Sequence, residues 1–172
     1  MSIAMHRNPN HVLRLSDCDA PALCVLLSRF GLTIETVADG AAIEGSFWGA
    51  EEAGLLGMRL LARSDTPLHS ILHETCHYIC MDARRRGNLD TDAGGDFDEE
   101  NAVCYLQILL SDTLPEGGRQ RMFEDMDAWG YSFRLGSARA WFENDAQDAR
   151  QWLINHGIIT VAGSPTYRLR GE

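Results

Sequence analysis

Residues 68–80 read Leu-His-Ser-Ile-Leu-His-Glu-Thr-Cys-His-Tyr-Ile-Cys, with His73 and His77 four apart and Glu74 directly after the first histidine. This segment constrains the fold more than any other, because its pattern makes chemical sense only on a helix. Side chains four apart stand one above the other on a helix face, so the two imidazoles converge on one point. Glu74 lies about 100° further round the axis, beside that point and not on it. Thr66-Pro67 supplies a start signal, with Thr as cap and Pro at the first helical position. Arg84, Arg85 and Arg86 suit the C-terminal end of the dipole, and Gly87 stops it. One helix is therefore expected from about Pro67 to about Arg85. Neutral imidazoles suit Zn(II), and two of them leave room for a third ligand and a water, from which Glu74 can take a proton. The plainer account is a pair of hydrogen-bonded histidines on a buried helix face.

A catalytic zinc needs a third protein ligand, and the segment Asp96 to Leu110, DFDEENAVCYLQILL, offers one. Helical spacing puts Ala102, Val103, Leu106 and Leu110 on the same side as Glu99, so the Glu99 carboxylate stands at the top of an inward stripe. Glu100 is turned about 100° away and is expected to face solvent. Glu99 is thus the expected metal ligand. A charge in the first helical turn is also favoured by the dipole alone.

HExxH followed by Glu on the next helix resembles the gluzincin pattern of zinc metallopeptidases. The short gap from His77 to Glu99 is similar to that of the minimal gluzincins, above all the ImmA/IrrE-like proteins, which carry E-x-E-A-N-x-F-A before a Leu-Leu run. Here the corresponding stretch is Glu99-Glu100-Asn101-Ala102-Val103-Cys104-Tyr105-Leu106, then Leu109-Leu110. The first Glu, the Ala and an aromatic match, whereas Asn101 and Leu106 depart. The resemblance covers roughly residues 43–110. It implies a zincin-like fold, one zinc ion per chain on His73, His77 and Glu99, Glu74 as general base, and hydrolysis of a peptide bond. It also implies an edge strand before the helix, at Leu55 to Arg63, that pairs with an extended peptide. Tyr131, Arg134, His69 and His156 are candidate donors to an oxyanion, and sequence does not choose among them. The alternative is a non-catalytic regulatory or interaction protein that keeps the metal for stability.

The surrounding chain reads as α+β: a small, mostly antiparallel sheet on the His-bearing helix, then a mainly helical last third. Asp17 or Asp19 with Pro21 opens a helix that Gly31 ends. A short β segment at Leu32 to Val37 follows, and Ile43 to Gly49 with Leu55 to Arg63 form a hairpin. Later helices run from about Asp98 to Leu110, Arg119 to Trp129, and Ser137 to His156 with a break near Asn144-Asp145. A terminal hairpin is expected at Ile158 to Val161 and Thr166 to Leu169. The organisation is one domain over 1–172, with a core at about 17–112 and a helical subdomain at about 116–172.

The net charge of −10 across 172 residues, with arginine as the sole cation besides histidine, argues against a general nucleic-acid binder and against an anionic membrane surface. Residues 117–172 balance seven Arg against seven acids, too neutral for a DNA reader despite a helix-then-hairpin form. No apolar run is long enough to span a membrane, and the N-terminal residues have no signal-peptide core. Five scattered cysteines fit reduced thiols in the cytoplasm. Cys76 and Cys80 share the histidine stripe and read as packing residues. Asp90, Asp92, Asp96 and Asp98 resemble the start of a calcium loop, but Asn101 stands where the bidentate Glu is required. Trp129, Trp141 and Trp152 read as packing residues. The expected partner is a peptide or protein substrate.

Overall fold

The computed structural model describes residues 11–88 and 94–172. Asp90, Asp92 and the first ten residues lie outside the described residues, and with them the calcium-loop and leader readings.

Helix α1 spans Ala20–Ser28, with the Asp19 side chain accepting from the Ala22 amide at 3.0 Å. The chain then enters β1 (Thr33–Thr36) and, after a long irregular stretch, a hairpin of β2 (Gly54–Leu56) and β3 (Arg59–Ala62). Then come α2 (Leu68–Cys80), α3 (Ala83–Gly87), α4 (Phe97–Ser111), α5 (Arg119–Trp129), α6 (Ala138–Asn144) and α7 (Gln147–Asn155). The fold is α+β, as the sequence implies. Its small sheet is mixed: the order is β1-β3-β2, with β1 parallel and β2 antiparallel to β3.

Two helices organise the interior. In α2 every residue except His73 is buried, because the sheet covers one side and α4 the other. In α4 the run from Ala102 to Ser111 is buried on all faces, since α2, α5 and α7 surround it. One apolar cluster joins α1, the sheet, α2, α4 and the C-terminal helices, from Leu23 to Ile159. Among the described residues no helix is long and apolar enough to cross a membrane.

Several local expectations are corrected. The Thr66 hydroxyl accepts from the Arg63 amide at 2.8 Å, so it closes a turn, and Pro67 is the N-cap of α2. The expected single helix breaks at Met81, which is extended (φ −68°, ψ 154°), and Asp82 caps α3 by accepting from the Arg85 amide at 2.9 Å. Ile43 to Gly49 forms no strand. The apolar run from Leu55 to Arg63 instead folds back on itself at Gly57 (φ +57°) and Met58, supplying both strands of the hairpin. β3 therefore lies in the centre of the sheet, paired on both sides, and offers no edge to a substrate. The outer edge of β2 is covered too: the Leu55 amide donates to the Gly45 carbonyl at 3.2 Å, and a side chain on Gly54 would collide with the Glu44 carbonyl. The terminal hairpin is reduced to one bridge, Ile159 with Pro165.

Candidate metal centre

α2 and α4 lie side by side, and their polar residues meet at one end of the contact. His73 and His77, one turn apart on α2, bring their Nε2 atoms to 3.2 Å from each other. Glu100 on α4 completes a triangle, with Oε1 at 3.1 Å from His73 Nε2 and Oε2 at 3.2 Å from His77 Nε2. These ligand atoms form the only compact His/Cys/Asp/Glu group of three or more among the described residues. A tetrahedral ion about 2.05 Å from each ligand sets the ligand atoms ~3.3 Å apart. The two imidazole nitrogens are 3.2 Å apart, close to that spacing, and one ligand atom from each of the three residues lies within 4.8 Å of the others, so the donor set can hold a divalent cation.

Glu99, the ligand expected from the sequence, is not part of this group. Its carboxylate is buried against two guanidinium groups. Arg85 grips it with both ends, Nη2 at 2.7 Å and Nη1 at 3.0 Å, and Arg170 approaches at 3.4 Å. The inward-stripe argument fails because α4 is enclosed by neighbours, so several directions from its axis lead inward. The direction of Glu99 leads to the arginines at the α2–α3 junction. The direction of Glu100 leads to the histidine face of α2, where the side chain stays about half exposed at the cleft.

Gln107, two turns beyond Glu100 on α4, fixes the first histidine. Its Nε2 donates to the His69 carbonyl at 2.9 Å, which turns Oε1 towards His73 Nδ1 at 3.0 Å. His73 Nδ1–H must then donate, so an ion that took the place of the Nε2 proton shared with Glu100 would meet an Nε2 lone pair on a neutral ring. His77 has no such partner, and its Nδ1 is buried without a hydrogen bond. Sequence reasoning passed over Gln107, although a lone amide in Tyr-Leu-Gln-Ile-Leu-Leu, seven residues after Glu100, marks the polar face of α4.

Burial works against the charge on Glu100, but hydrogen bonds from His73 and His77 hold its carboxyl well below the usual carboxylate range. Burial pushes the Glu74 carboxyl up, with the nearby histidines opposing. Glu74 is buried and is not part of the His73, His77 and Glu100 group. Cys76 and Cys80 are fully buried, their thiols pushed up by burial, and neither belongs to the cluster.

A cavity of about 310 Å³ opens beside the triangle, lined by Trp48, Glu52, Trp129 and Tyr131 as well as His73 and Glu100. Tyr131 is the one oxyanion candidate whose side chain lines it. The Tyr131 hydroxyl meets His69 Nδ1 at 3.1 Å, and its ring lies edge-on to His73 at 5.7 Å between centroids. His69 itself is buried behind, and burial pulls its pKa down to about 3. Arg134 is exposed and pairs with Asp145 at 3.0 Å, while His156 stacks on Trp152. Neither reaches the centre. Trp129 lines the cavity instead of serving only as packing.

The comparisons do not name a relative. The chain matches no family model, no curated protein and no solved structure. The geometry of the cleft and the two helices carries the functional reading.

Proposed function

We propose that this chain is a zinc-dependent hydrolase of peptide bonds whose ion is held by His73, His77 and Glu100. The resemblance of α2 and the start of α4 to minimal gluzincins supports the reading, with the carboxylate ligand moved by one residue from the expected Glu99. The convergence of the two imidazole nitrogens, 3.2 Å apart, with the Glu100 carboxylate, one oxygen near each, carries it. A zinc ion bound there would supply Lewis acidity towards a carbonyl oxygen and lower the pKa of water.

The chain's own residues then have distinct tasks. Glu74 accepts a proton from the attacking water and delivers it to the departing amine, and its burial raises its affinity for that proton. Gln107 holds the His73 ring in the ligating tautomer. Tyr131 offers a neutral O–H to the oxygen that becomes negative. Because β3 is central and β2 is covered, the hairpin expected to pair with substrate offers no free edge, and the cavity holds the substrate. Free cysteines throughout the described chain suit a reducing compartment such as the cytoplasm.

Metal analysis after purification without chelators tests the centre. The expected result is about one zinc per chain, lost in His73→Ala and in Glu100→Gln but kept in Glu99→Gln. Absence of metal, or a different metal at full occupancy, overturns the assignment. Glu74→Gln should keep zinc while peptide hydrolysis falls by at least about a hundredfold. Unchanged turnover in that variant removes Glu74 from its role.

A further inference from the structure

The cavity beside the triangle has a chemistry of its own. Trp129 and Tyr131 form its wall, Ser70 contributes to its lining, and Trp48 stands at its rim with 70% of its surface exposed. Trp48 is braced edge-on by Phe47 at 5.1 Å, so two large aromatic rings face solvent next to the cleft. Exposed aromatic surface at the mouth of a cavity marks a place where a ligand binds.

Glu52 is the carboxylate of this cavity that the metal triangle does not use. Its Oε1 accepts from the Trp129 indole N–H at 2.6 Å, which fixes both side chains. Among the described residues Glu52 makes no ion pair and no second side-chain hydrogen bond. No arginine lines the cavity. Burial pushes the Glu52 carboxyl up, with the Trp129 hydrogen bond and the nearby His73 opposing, so a cation in the cavity would offset that burial. The faces of indole and phenol rings carry negative potential and attract cations. Arg14, which is not among the lining residues, already rests 5.4 Å from the Trp129 centroid, so this ring takes a guanidinium within the fold itself.

We infer that the cavity formed by Trp48, Trp129, Tyr131 and Glu52 is a subsite for an organic cation of the substrate, an ammonium or guanidinium group held close to the scissile bond. The inference rests on the reading of the neighbouring centre as hydrolytic for the ligand being a peptide. The cation has two possible sources, the α-ammonium of a peptide N-terminus and a basic side chain. Both satisfy the same carboxylate and the same rings.

The test is binding of three small probes to the zinc-loaded full chain, read by tryptophan fluorescence and by calorimetry. Nα-acetyl-lysinamide carries a side-chain cation, alaninamide an α-ammonium, and Nα-acetyl-norleucinamide no charge. At least one cationic probe should bind about tenfold or more tighter than the neutral one, and which of the two does so identifies the source. Glu52→Gln, which can still accept from Trp129, should abolish the preference. Trp48→Ala changes an exposed rim residue and should weaken the cationic probe several-fold. Equal binding of charged and neutral probes, or a preference that survives Glu52→Gln, overturns the subsite. Zinc content of the same samples separates the two proposals. Loaded protein without cation preference removes the subsite alone, whereas cation preference in protein that takes no zinc upholds the subsite and removes the centre.

Discussion

Glu99 and Glu100 are chain neighbours with different tasks, and the difference lies in what each meets across the helix contact. Glu99 neutralises Arg85 and approaches Arg170, so it ties the α2–α3 junction and the C-terminal segment to α4. Glu100 meets two imidazoles. Gln107 is the residue whose removal should reveal the link between packing and the centre. Gln107→Leu keeps the volume but leaves His73 Nδ1 unpaired, and zinc affinity should fall by about 10–100-fold in a competitive chelator titration. His69 gives a pH prediction. Its pKa is about 3 in the folded chain and about 6.5 when unfolded. Below pH 6.5 the unfolded chain binds a proton that the folded chain refuses. Stability associated with His69 is therefore complete above pH 6.5 and lost as pH falls towards 3, by up to about 1.4 kcal/mol per pH unit. Denaturant titrations between pH 4 and 7 should show that slope, and His69→Gln should flatten it.

At the scale of elements, α2 was legible and its surroundings were less so. The spacing of His73 and His77 demanded a helix, and the helix is there. Its end was misread because arginines near a C-terminus are compatible with continuing the helix or restarting it. The choice fell to Asp82, whose carboxylate caps α3 and pairs with Arg85 at 3.0 Å. The hairpin was misplaced for a similar reason. Gly57 and Gly49 can both turn a chain, and only pairing in the sheet selects between them. α4 begins with a cap whose loss should be felt at the centre. The Asp96 side chain accepts from the Glu99 amide at 2.9 Å, one residue before Glu100, the proposed ligand. Asp96→Ala should lower stability by about 1 kcal/mol in denaturant melts. It should also weaken zinc binding by a few-fold in the same chelator titration, because the first turn of α4 frays.

Over the whole molecule, His73, His77 and Glu100 join two helices that also meet through Gln107 and apolar side chains, next to a three-stranded sheet. A ligand that binds only the folded chain stabilises it by mass action. With free zinc about a thousandfold above its dissociation constant the gain is about 4 kcal/mol, and for a chain of this size the midpoint of thermal unfolding should rise by about 8–16 °C. Calorimetry with zinc and with chelator checks this, and His73→Ala should show no difference between the two. The C-terminal segment is anchored on the ends of the same helices, through Cys80 and Glu99. The Arg170 amide donates to the Ile79 carbonyl at 2.9 Å, and Arg86 donates to the Arg170 carbonyl at 2.7 Å. The last third thus packs on α2 and α4 as part of one core.

By itself the sequence determined the α+β class, the helix that carries His73, Glu74 and His77, and the presence of an acid at the head of the following long helix. These follow from local rules: a period of 3.6 residues, caps, and turn residues within a few positions of each other. The tertiary structure decided which of two adjacent acids faces the histidines, that Gln107 orients one of them, which strand is central, and that Trp48, Glu52 and Trp129 share a cavity. Those outcomes depend on which neighbours surround a helix on each side. A residue's own position along the chain gives its angle about the axis, but only the packed fold says what waits in that direction.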